Sequence, residues 1–296
     1  MKFQAISKCL GVALLACLPM AAQSTTPTTY NYTTINYPGD TFTQLLGINS
    51  SNVIAGYHGV SINKGFTYVL KTKTFNNENF PQSMQTQVIG INNSPAKTVG
   101  FYITEGGATK GFEARGGVFE SVNFPGQPFN QLLGQNNFAQ AAGYYSTKAD
   151  GSGPDHAYIF DENGGIFEVL TIPGSISAQA TGINDLSNVC GFFVDSSNVN
   201  HGWLLVQGSF TQLDYPESTG TQALGLNDNG IVVGSYTDTS NNSHGFTYNV
   251  ASKTWQSIDD PAGVGTTIVN GINNAGILVG FYGTSPDNSG FVAEPQ

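Results

Sequence analysis

The sequence predicts an all-β fold: a six-bladed β-propeller of four-stranded blades, in which the N-terminal strand closes the last blade. Three observations predict it. A Gly-hydrophobic-Asn signal recurs every 43 to 48 residues, which is the repeat length of a four-stranded propeller blade. The segments between signals are short, rich in β-branched and aromatic residues, and bounded by Gly, Asn, Asp and Pro, as strands are. The two ends of the chain carry complementary parts of one repeat.

Six signals define the repeats. A weaker copy, Gly134-Gln135-Asn136, fills the gap between the second and fourth. The complete copies are Gly47-Ile48-Asn49, Gly90-Ile91-Asn92, Gly182-Ile183-Asn184, Gly225-Leu226-Asn227 and Gly271-Ile272-Asn273. An Asn side chain bonds the backbone two residues on and tolerates positive φ, so these Asn residues are predicted to form the turn after the first strand. The Gly of each signal is predicted to allow close packing of backbones.

The chain ends predict how the ring closes. Residues 32–38 match the fourth strand of a repeat, and residues 289–293 match a third strand that lacks its fourth. Pairing the two completes a sixth blade and covers strand edges that would otherwise stay open. We therefore assign residues 30–296 to the propeller and residues 23–29 to a linker.

Residues 1–22 have the features of a secretory signal peptide. A positively charged start precedes the apolar run 9–18, and small residues lead to a cleavage point after Ala22. The run is shorter than the roughly 20 residues that span a bilayer as a helix. We expect a secreted or periplasmic protein without a transmembrane segment. An alternative is lipid attachment at Cys17, because the residues before it loosely resemble a lipoprotein box.

The charge of the chain excludes some partners. It has 20 Asp+Glu against 10 Lys+Arg, a net charge of -10, and charged residues make up 10% of the chain, against about 25% in an average domain. Nucleic acids and anionic membranes bind clustered Lys and Arg, so neither is expected as a partner. The motifs of nucleophile elbows, zinc proteases, phosphate loops and dinucleotide folds are missing. No cofactor, metal or catalytic residue is predicted.

A polar collar is predicted around the axis. In five repeats Gln stands three residues before the Gly of the signal, and Ile268 takes that place in the sixth. These residues are Gln44, Gln87, Gln131, Gln179 and Gln222. If the first strand is innermost, as in known propellers, the amides ring the central channel. They then either bind a small molecule or ion, or satisfy buried groups through hydrogen bonds between blades.

Aromatic residues end the second strand in five repeats. They are Tyr102, Tyr145, Phe193, Tyr236 and Tyr282, and His58 takes this place in the first repeat. The four Tyr rings could stack on a sugar or on a partner protein. The alternative is that they fill the space between neighbouring blades.

Three third strands open with His-small-aromatic triplets: His156-Ala157-Tyr158, His201-Gly202-Trp203 and His244-Gly245-Phe246. The chain thereby resembles the extracellular HAF-repeat proteins over roughly residues 30–296, although Lys64, Lys110 and Ser289 replace His elsewhere. The resemblance implies a secreted, propeller-like protein and supplies no catalytic residues. Equivalent outer-strand positions on adjacent blades lie about 10 Å or more apart. The three His residues therefore cannot share a metal ion.

Two further features are predicted to be structural. Cys190, the one cysteine outside residues 1–22, has apolar neighbours and is predicted to be a buried small side chain, not a nucleophile. The acidic loop 148–155 has oxygen ligands of the kind Ca²⁺ takes, but lacks the spacing of an EF-hand loop. We predict a solvated turn there.

Together these patterns predict a monomeric, non-catalytic binding or interaction module for a glycan or a protein. Loops between second and third strands and between blades should share one face, and they differ most among repeats, which suits recognition. An alternative is an extracellular enzyme acting on a polysaccharide or metabolite in the channel. It would need singular residues, such as Glu105, Arg115 and His58, to converge at one channel mouth. A second alternative is a surface scaffold without a soluble ligand.

Overall fold

The computed structural model describes residues 27–93, 96–284 and 286–296, which form twenty-four strands in six four-stranded sheets. Residues 1–22, the predicted signal peptide with Cys17, lie outside the described residues. No helix among the described residues has the length and apolarity needed to cross a membrane.

The strands are β1 (Tyr30–Ile35), β2 (Thr43–Ile48), β3 (Val53–His58), β4 (Lys64–Val69), β5 (Thr74–Asn77), β6 (Gln85–Ile91), β7 (Thr98–Ile103), β8 (Thr109–Arg115), β9 (Val118–Ser121), β10 (Phe129–Gln135), β11 (Gln140–Ser146), β12 (Asp155–Asp161), β13 (Ile166–Val169), β14 (Ser177–Ile183), β15 (Val189–Val194), β16 (Asn200–Val206), β17 (Ser209–Leu213), β18 (Gly220–Leu226), β19 (Ile231–Thr237), β20 (Ser243–Asn249), β21 (Thr254–Ile258), β22 (Ile268–Ile272), β23 (Leu278–Tyr282) and β24 (Ser289–Pro295).

The sheets are six blades around a central axis, as predicted. Blades 1 to 5 are β2–β5, β6–β9, β10–β13, β14–β17 and β18–β21, each in chain order, and blade 6 is β22–β24 followed by β1. The first strand of every blade contacts the first strands of both neighbouring blades, including β22 with β2. The ring is therefore closed, with the first strands innermost.

The N-terminal strand closes blade 6, which confirms the prediction from the chain ends. β1 pairs antiparallel with β24, in a register that runs from Tyr30 opposite Pro295 to Ile35 opposite Gly290. Ile35 is buried in a hydrophobic cluster that also holds Leu45 and Phe66 of blade 1. The closing strand thus joins the core between the last blade and the first.

The hydrophobic core is divided into six clusters, each formed by residues of two neighbouring blades. The aromatic residue near the middle of each third strand is fully buried in these clusters. These residues are Phe66, Phe112, Tyr158, Trp203, Phe246 and Phe291. In the three His-small-aromatic triplets the aromatic member is thus a core residue, and burial of such a side chain stabilises the fold by roughly 2–3 kcal/mol.

The glycines of the six signals let the inner strands approach closely, as predicted. A Cβ added at Gly47 would lie 2.7 Å from the carbonyl oxygen of Ile89 and 3.2 Å from Cα of Gly90, in the next blade. One added at Gly271 would lie 2.4 Å from the carbonyl oxygen of Leu46. Any side chain at these positions would push neighbouring blades apart.

The six Asn residues of the signals form the predicted turns and, in addition, a ring of hydrogen bonds that we call the Asn ring. The Oδ1 of Asn184 accepts from the backbone N–H groups of Leu186 and Asn188, at 3.1 and 2.9 Å. Its Nδ2 donates to the carbonyl oxygen of Asn227 in the next blade, at 3.0 Å. The same bond between blades links Asn49 to Asn92, Asn92 to Asn136, Asn136 to Asn184, Asn227 to Asn273 and Asn273 to Asn49.

The antiparallel order of the strands gives the ring two different faces. The Asn ring and the turns between third and fourth strands lie on one, which we call the turn face. The collar of five Gln residues, the loops between second and third strands and the connections between blades lie on the other, the collar face. The prediction that these two kinds of loop share a face is confirmed.

Candidate functional site

A cavity of about 410 Å³ lies on the axis, and side chains of all six first strands line it. Counted from the collar face, they form three layers. The first is the collar of five Gln residues with Ile268. The second is Leu46, Ile89, Leu133, Thr181, Leu224 and Asn270, and the third is Ile48, Ile91, Gln135, Ile183, Leu226 and Ile272.

The collar amides are only partly satisfied within the protein. Three of the five Gln side chains each make one hydrogen bond, which leaves the other half of each amide available. Within the described residues, Gln131 and Gln222 make no side-chain hydrogen bond. The bonds run from Tyr57 Oη to Gln44 Oε1 at 2.5 Å, from Gln87 Nε2 to Asn63 Oδ1 at 2.7 Å, and from Gln179 Nε2 to Asp155 Oδ2 at 2.7 Å.

Four aromatic rings that were not predicted from the repeats line the same cavity. They are Tyr57, Phe101, Phe192 and Phe281, and each lies opposite a collar position in the pairing of first and second strands. They stand one residue before the residues that end the second strands. Successive residues of a strand point to opposite faces of the sheet. The four rings therefore point towards the axis, and the residues that follow them point away from it.

The cavity is uncharged. In the described part of the chain, none of its lining residues is Asp, Glu, Lys, Arg or His. Tyr57 is the one lining residue with an ionisable side chain, and burial raises the pKa of its phenol, so it stays neutral. The walls therefore offer amide donors and acceptors, hydroxyls and apolar surface.

The channel narrows towards the turn face. A second cavity of about 70 Å³ lies there. It is lined by the same third layer, by five of the six residues of the Asn ring and by polar residues that follow them, including Asp185 and Asp228. The mainly aliphatic third layer thus separates the two spaces. The wider part of the channel thus lies on the side of the collar face.

The aromatic residues predicted at the ends of the second strands stack on rings of the protein itself. The ring centroids lie 3.7 Å apart in the stacked pairs Phe80–Tyr102 and Tyr215–Tyr236, and 4.2 Å apart in the tilted pair Phe124–Tyr145. His156 and His244 also stack on Tyr145 and Tyr236. Tyr282 bonds Thr34 of the closing strand at 3.0 Å. These contacts support a packing role and leave the Gln collar as the predicted group that faces the channel.

The His residues that open the third strands of blades 4 and 5 are held by carboxylates. His201 lies 2.8 Å from Asp214 and 3.5 Å from Asp195. His244 lies 2.9 Å from Asp259 and 3.4 Å from Asp238. Each His thus links the loop before its strand to the connection after its blade.

The acidic loop 148–155 is a local turn. The backbone N–H of Gly151 donates to the carbonyl oxygen of Lys148, and that of Ser152 to Oδ1 of Asp150, both at 3.0 Å. Across the described ranges, no group of three or more His, Cys, Asp or Glu residues is placed to hold a metal ion.

The residues named for the enzymatic alternative are not brought together. Glu105 is exposed in a loop on the collar face, whereas Arg115 ends β8 on the turn face. His58 stacks on Tyr37, with ring centroids 3.5 Å apart, and pairs with Asp40 at 3.0 Å. None of the three lines the channel cavity.

A different set of singular polar residues does converge, between blades 2 and 3. We call Lys97, Glu113, Gln135 and Glu162 the polar wedge. The Lys97 ammonium bonds Glu162 and lies 3.0 Å from Glu113, and the Gln135 amide donates to Glu162 at 2.5 Å. Burial, followed by the neighbouring Glu162, raises the pKa of Glu113 to about 7 against the opposing effect of Lys97.

The polar wedge takes the place of hydrophobic packing. Between blades 6 and 1 the equivalent positions are Ile277, Val292, Ile48 and Leu70, which belong to one hydrophobic cluster. Neither axial cavity is lined by Lys97, Glu113 or Glu162. The charged members of the wedge are therefore out of reach of a ligand in the channel.

Cys190 is fully buried, as predicted, and burial raises the pKa of its thiol to about 12. We expect no reaction with a thiol reagent such as dithionitrobenzoate at pH 8 while the protein is folded, because the thiolate is scarce and inaccessible. In 6 M guanidinium chloride the same purified, processed protein should release one equivalent of thionitrobenzoate. Rapid release from the native protein would contradict this assignment.

Comparison with known proteins identifies the fold. Neither a family model nor a curated protein sequence matches this chain. Among solved structures, a TolB-like protein of Agrobacterium tumefaciens gives a TM-score of 0.61 at 10% identity, over 86% of this chain and 90% of that one. A chain of the nidogen–laminin complex gives 0.56 at 11% identity, over 81% and 86%, and the six-bladed, fucose-recognising lectin of Aleuria aurantia gives 0.53 at 7%, over 89% and 92%. Such identities show the fold alone: the chain is a six-bladed β-propeller, and its place among the HAF-repeat proteins stays a prediction.

Proposed function

We propose that this chain is a secreted β-propeller that acts without catalysis as a binding module, with a glycan or another protein as its ligand. One observation carries the proposal: five Gln amides and four aromatic rings surround an uncharged cavity of about 410 Å³. Ligand pockets typically combine this size with mainly apolar walls and a few polar groups that fix orientation.

The loops of the collar face support the same proposal. The loop between second and third strands covers residues 59–63 in blade 1 and 147–154 in blade 3, so its length and composition change around the ring. Variable loops on a rigid scaffold are a common basis of recognition. Among the structural neighbours, one is a fucose-recognising lectin and another was solved as a nidogen–laminin complex.

A purely binding role fits the chemistry of the channel better than catalysis does. Hydrolysis of a glycosidic bond needs two carboxyl groups about 5 to 9.5 Å apart on either side of the bond. The described lining residues of the large cavity include no carboxylate. Glu113 and Glu162 lie between blades and line neither axial cavity.

A single cavity-filling substitution tests the proposed site. Gln131→Trp places an indole in the channel mouth and should weaken binding to any retained glycan or protein at least tenfold, as measured on glycan arrays and by surface plasmon resonance. Val118→Trp is the control, because Val118 is 73% exposed on an outer strand. Turnover of a polysaccharide panel that is lost on changing one carboxylate would contradict a binding-only role.

Export is part of the proposal and has its own test. Cleavage after Ala22 gives a mature protein that begins at Gln23, whereas the lipid-anchored alternative begins at a modified Cys17. Mass spectrometry of protein recovered from medium, periplasm and membranes separates the two. Unprocessed protein confined to the cytoplasm would contradict export.

A further inference from the structure

The channel cavity is not symmetric, although its scaffold repeats six times. Blade 6 carries Ile268 in place of the collar Gln, and Phe281 stands opposite Ile268 in the strand pairing. One sector of the mouth is therefore apolar, and the other five sectors carry amides. A bound molecule would meet chemically different walls on its two sides.

Blade 6 also differs in the second layer. Asn270 takes a position where four other blades have Leu or Ile. Its Oδ1 is buried, and within the described residues it has no hydrogen-bond partner. A buried polar atom without a partner carries a free-energy cost unless a ligand or water supplies a donor. Below the collar, the cavity thus presents an unpaired acceptor.

The absence of charge in the described lining restricts the ligand. A carboxylate, phosphate or ammonium in the cavity would lose its hydration without gaining an ion pair, which is strongly unfavourable. Amide groups, by contrast, both donate and accept, and so match hydroxyl groups, which do the same. Aromatic and aliphatic walls suit the C–H faces of a ring. Neutral sugars combine these properties.

The unequal widths of the channel favour one mode of binding. The cavity at the collar has a volume of about 410 Å³, whereas the space beyond the third layer at the turn face has about 70 Å³. A saccharide chain that enters from the collar face therefore places its end in the larger cavity.

We propose that the channel binds the terminal unit of a neutral saccharide end-on, with its polar groups against the Gln collar and Asn270 and a C–H face against Ile268 and Phe281. This inference rests on the proposed binding function and narrows it to one ligand class and one site. It assigns a recognition role to Asn270, a residue that no repeat pattern singles out.

Calorimetry and saturation-transfer NMR test the ligand class with methyl glycosides of glucose, galactose, mannose, fucose and N-acetylglucosamine. Glucuronic acid and glucosamine serve as charged probes of similar size. At least one neutral sugar should bind the processed protein, and both charged sugars should bind at least tenfold more weakly than it. Equal or tighter binding of a charged sugar overturns the proposal, and so does binding of no sugar at all.

Substitutions test the site. Asn270→Leu keeps the size of the side chain and removes the acceptor, and should weaken the bound sugar at least tenfold. Gln222→Leu provides a second variant if Asn270→Leu is poorly folded, as judged by circular dichroism. Asn249→Leu is the control, because Asn249 lies in a turn on the opposite face. Unchanged affinity in both channel variants overturns the proposal.

A series of oligosaccharides tests the end-on mode. Oligosaccharides of increasing length compete with the bound methyl glycoside. Their inhibition of its binding should follow the molar concentration of oligosaccharide chains and not that of sugar units, because each chain offers one terminal unit of this kind. Scaling with sugar units would place the site on a surface groove. In that case the end-on channel site is wrong, but the proposed binding function stands. The same holds if the channel variants do not change the affinity for the sugar. If neither sugars nor proteins bind, both fail.

Discussion

Replacing Asn184 by Ala is expected to lower the free energy of unfolding by about 2–4 kcal/mol. The substitution removes the Oδ1 acceptor of two backbone N–H groups in the turn and the Nδ2 donor to the carbonyl of Asn227. The side chain is buried, so these backbone groups lose partners in a place with little access to water. Each unsatisfied buried group costs about 1–3 kcal/mol.

The matched control for this effect is Asn249→Ala. The Oδ1 of Asn249 also accepts from two backbone N–H groups of its own turn, those of Ala251 and Ser252. Asn249 ends the third strand of blade 5, and within the described residues its side chain makes no hydrogen bond to another blade. Asn249→Ala should lower the free energy of unfolding by less than about 1 kcal/mol, because water can replace the lost side-chain oxygen as the acceptor. Urea unfolding followed by intrinsic fluorescence compares the two. Equal losses would mean that Asn184 acts only as a turn residue.

The Asn ring illustrates what the sequence could predict. Because the Gly-hydrophobic-Asn signal recurs at blade spacing, it was possible to derive the number of blades, the closing strand and the turn role of Asn49 and its five equivalents. The blade number and the turn role depend on residues that are close together in the chain. The closing strand depends on the two partial repeats at the ends of the chain. The bonds from each Asn to the next blade could not be derived, because they depend on how far neighbouring blades are rotated about the axis.

The channel was predictable in part. Spacing identified the collar, since one polar residue at the same offset in five repeats stands out. The rings of Phe101, Phe192 and Phe281 were missed because an aromatic residue that recurs in five repeats follows one position later. The choice between the two faces of a strand depends on the position of the bulge that every first strand contains. Asn270 was missed because it occurs once, and self-comparison detects only what repeats.

The polar wedge could not be predicted for a related reason. Lys97, Glu113 and Glu162 come from two blades and are far apart in the chain. Each stands where the gap between blades 6 and 1 has an apolar residue, and only the packed gap between blades 2 and 3 brings them together. Two carboxylates then share one ammonium, which leaves an excess negative charge in a buried place.

This excess charge leads to the second large prediction: Glu113→Gln should stabilise the protein at pH 8 and leave its stability unchanged at pH 4.5. Burial and the neighbouring Glu162 raise the pKa of Glu113 from its ordinary 4.5 to about 7 in the folded state. A raised carboxyl pKa means that the folded state holds the proton more tightly than the unfolded state does. The protonated Glu113 therefore contributes to the free energy of unfolding. This contribution is fully present below pH 4.5 and is lost as pH rises through 7.

Gln imitates the protonated acid, because its amide can donate to Glu162 at any pH. The variant should therefore lack the loss of stability that the wild type undergoes between pH 4.5 and 8. The shift from 4.5 to about 7 is roughly 2.5 pKa units, and one unit corresponds to about 1.4 kcal/mol, so the difference between the two proteins at pH 8 should be on the order of 3 kcal/mol. Urea unfolding at half-unit steps of pH measures it.

Glu120→Gln makes the same chemical change directly across the strand pair from Glu113, at an exposed position, and should follow the wild-type pH profile. Lys97→Met should act in the opposite direction, costing about 2–4 kcal/mol at pH 8 and less at pH 4.5, because the buried Glu113 and the half-buried Glu162 lose the ammonium that they share. A Glu113→Gln profile parallel to that of the wild type would mean that Glu113 is already ionised throughout this range. The wedge would then be an ordinary ion pair with Lys97, and the excess charge would have to be compensated by solvent.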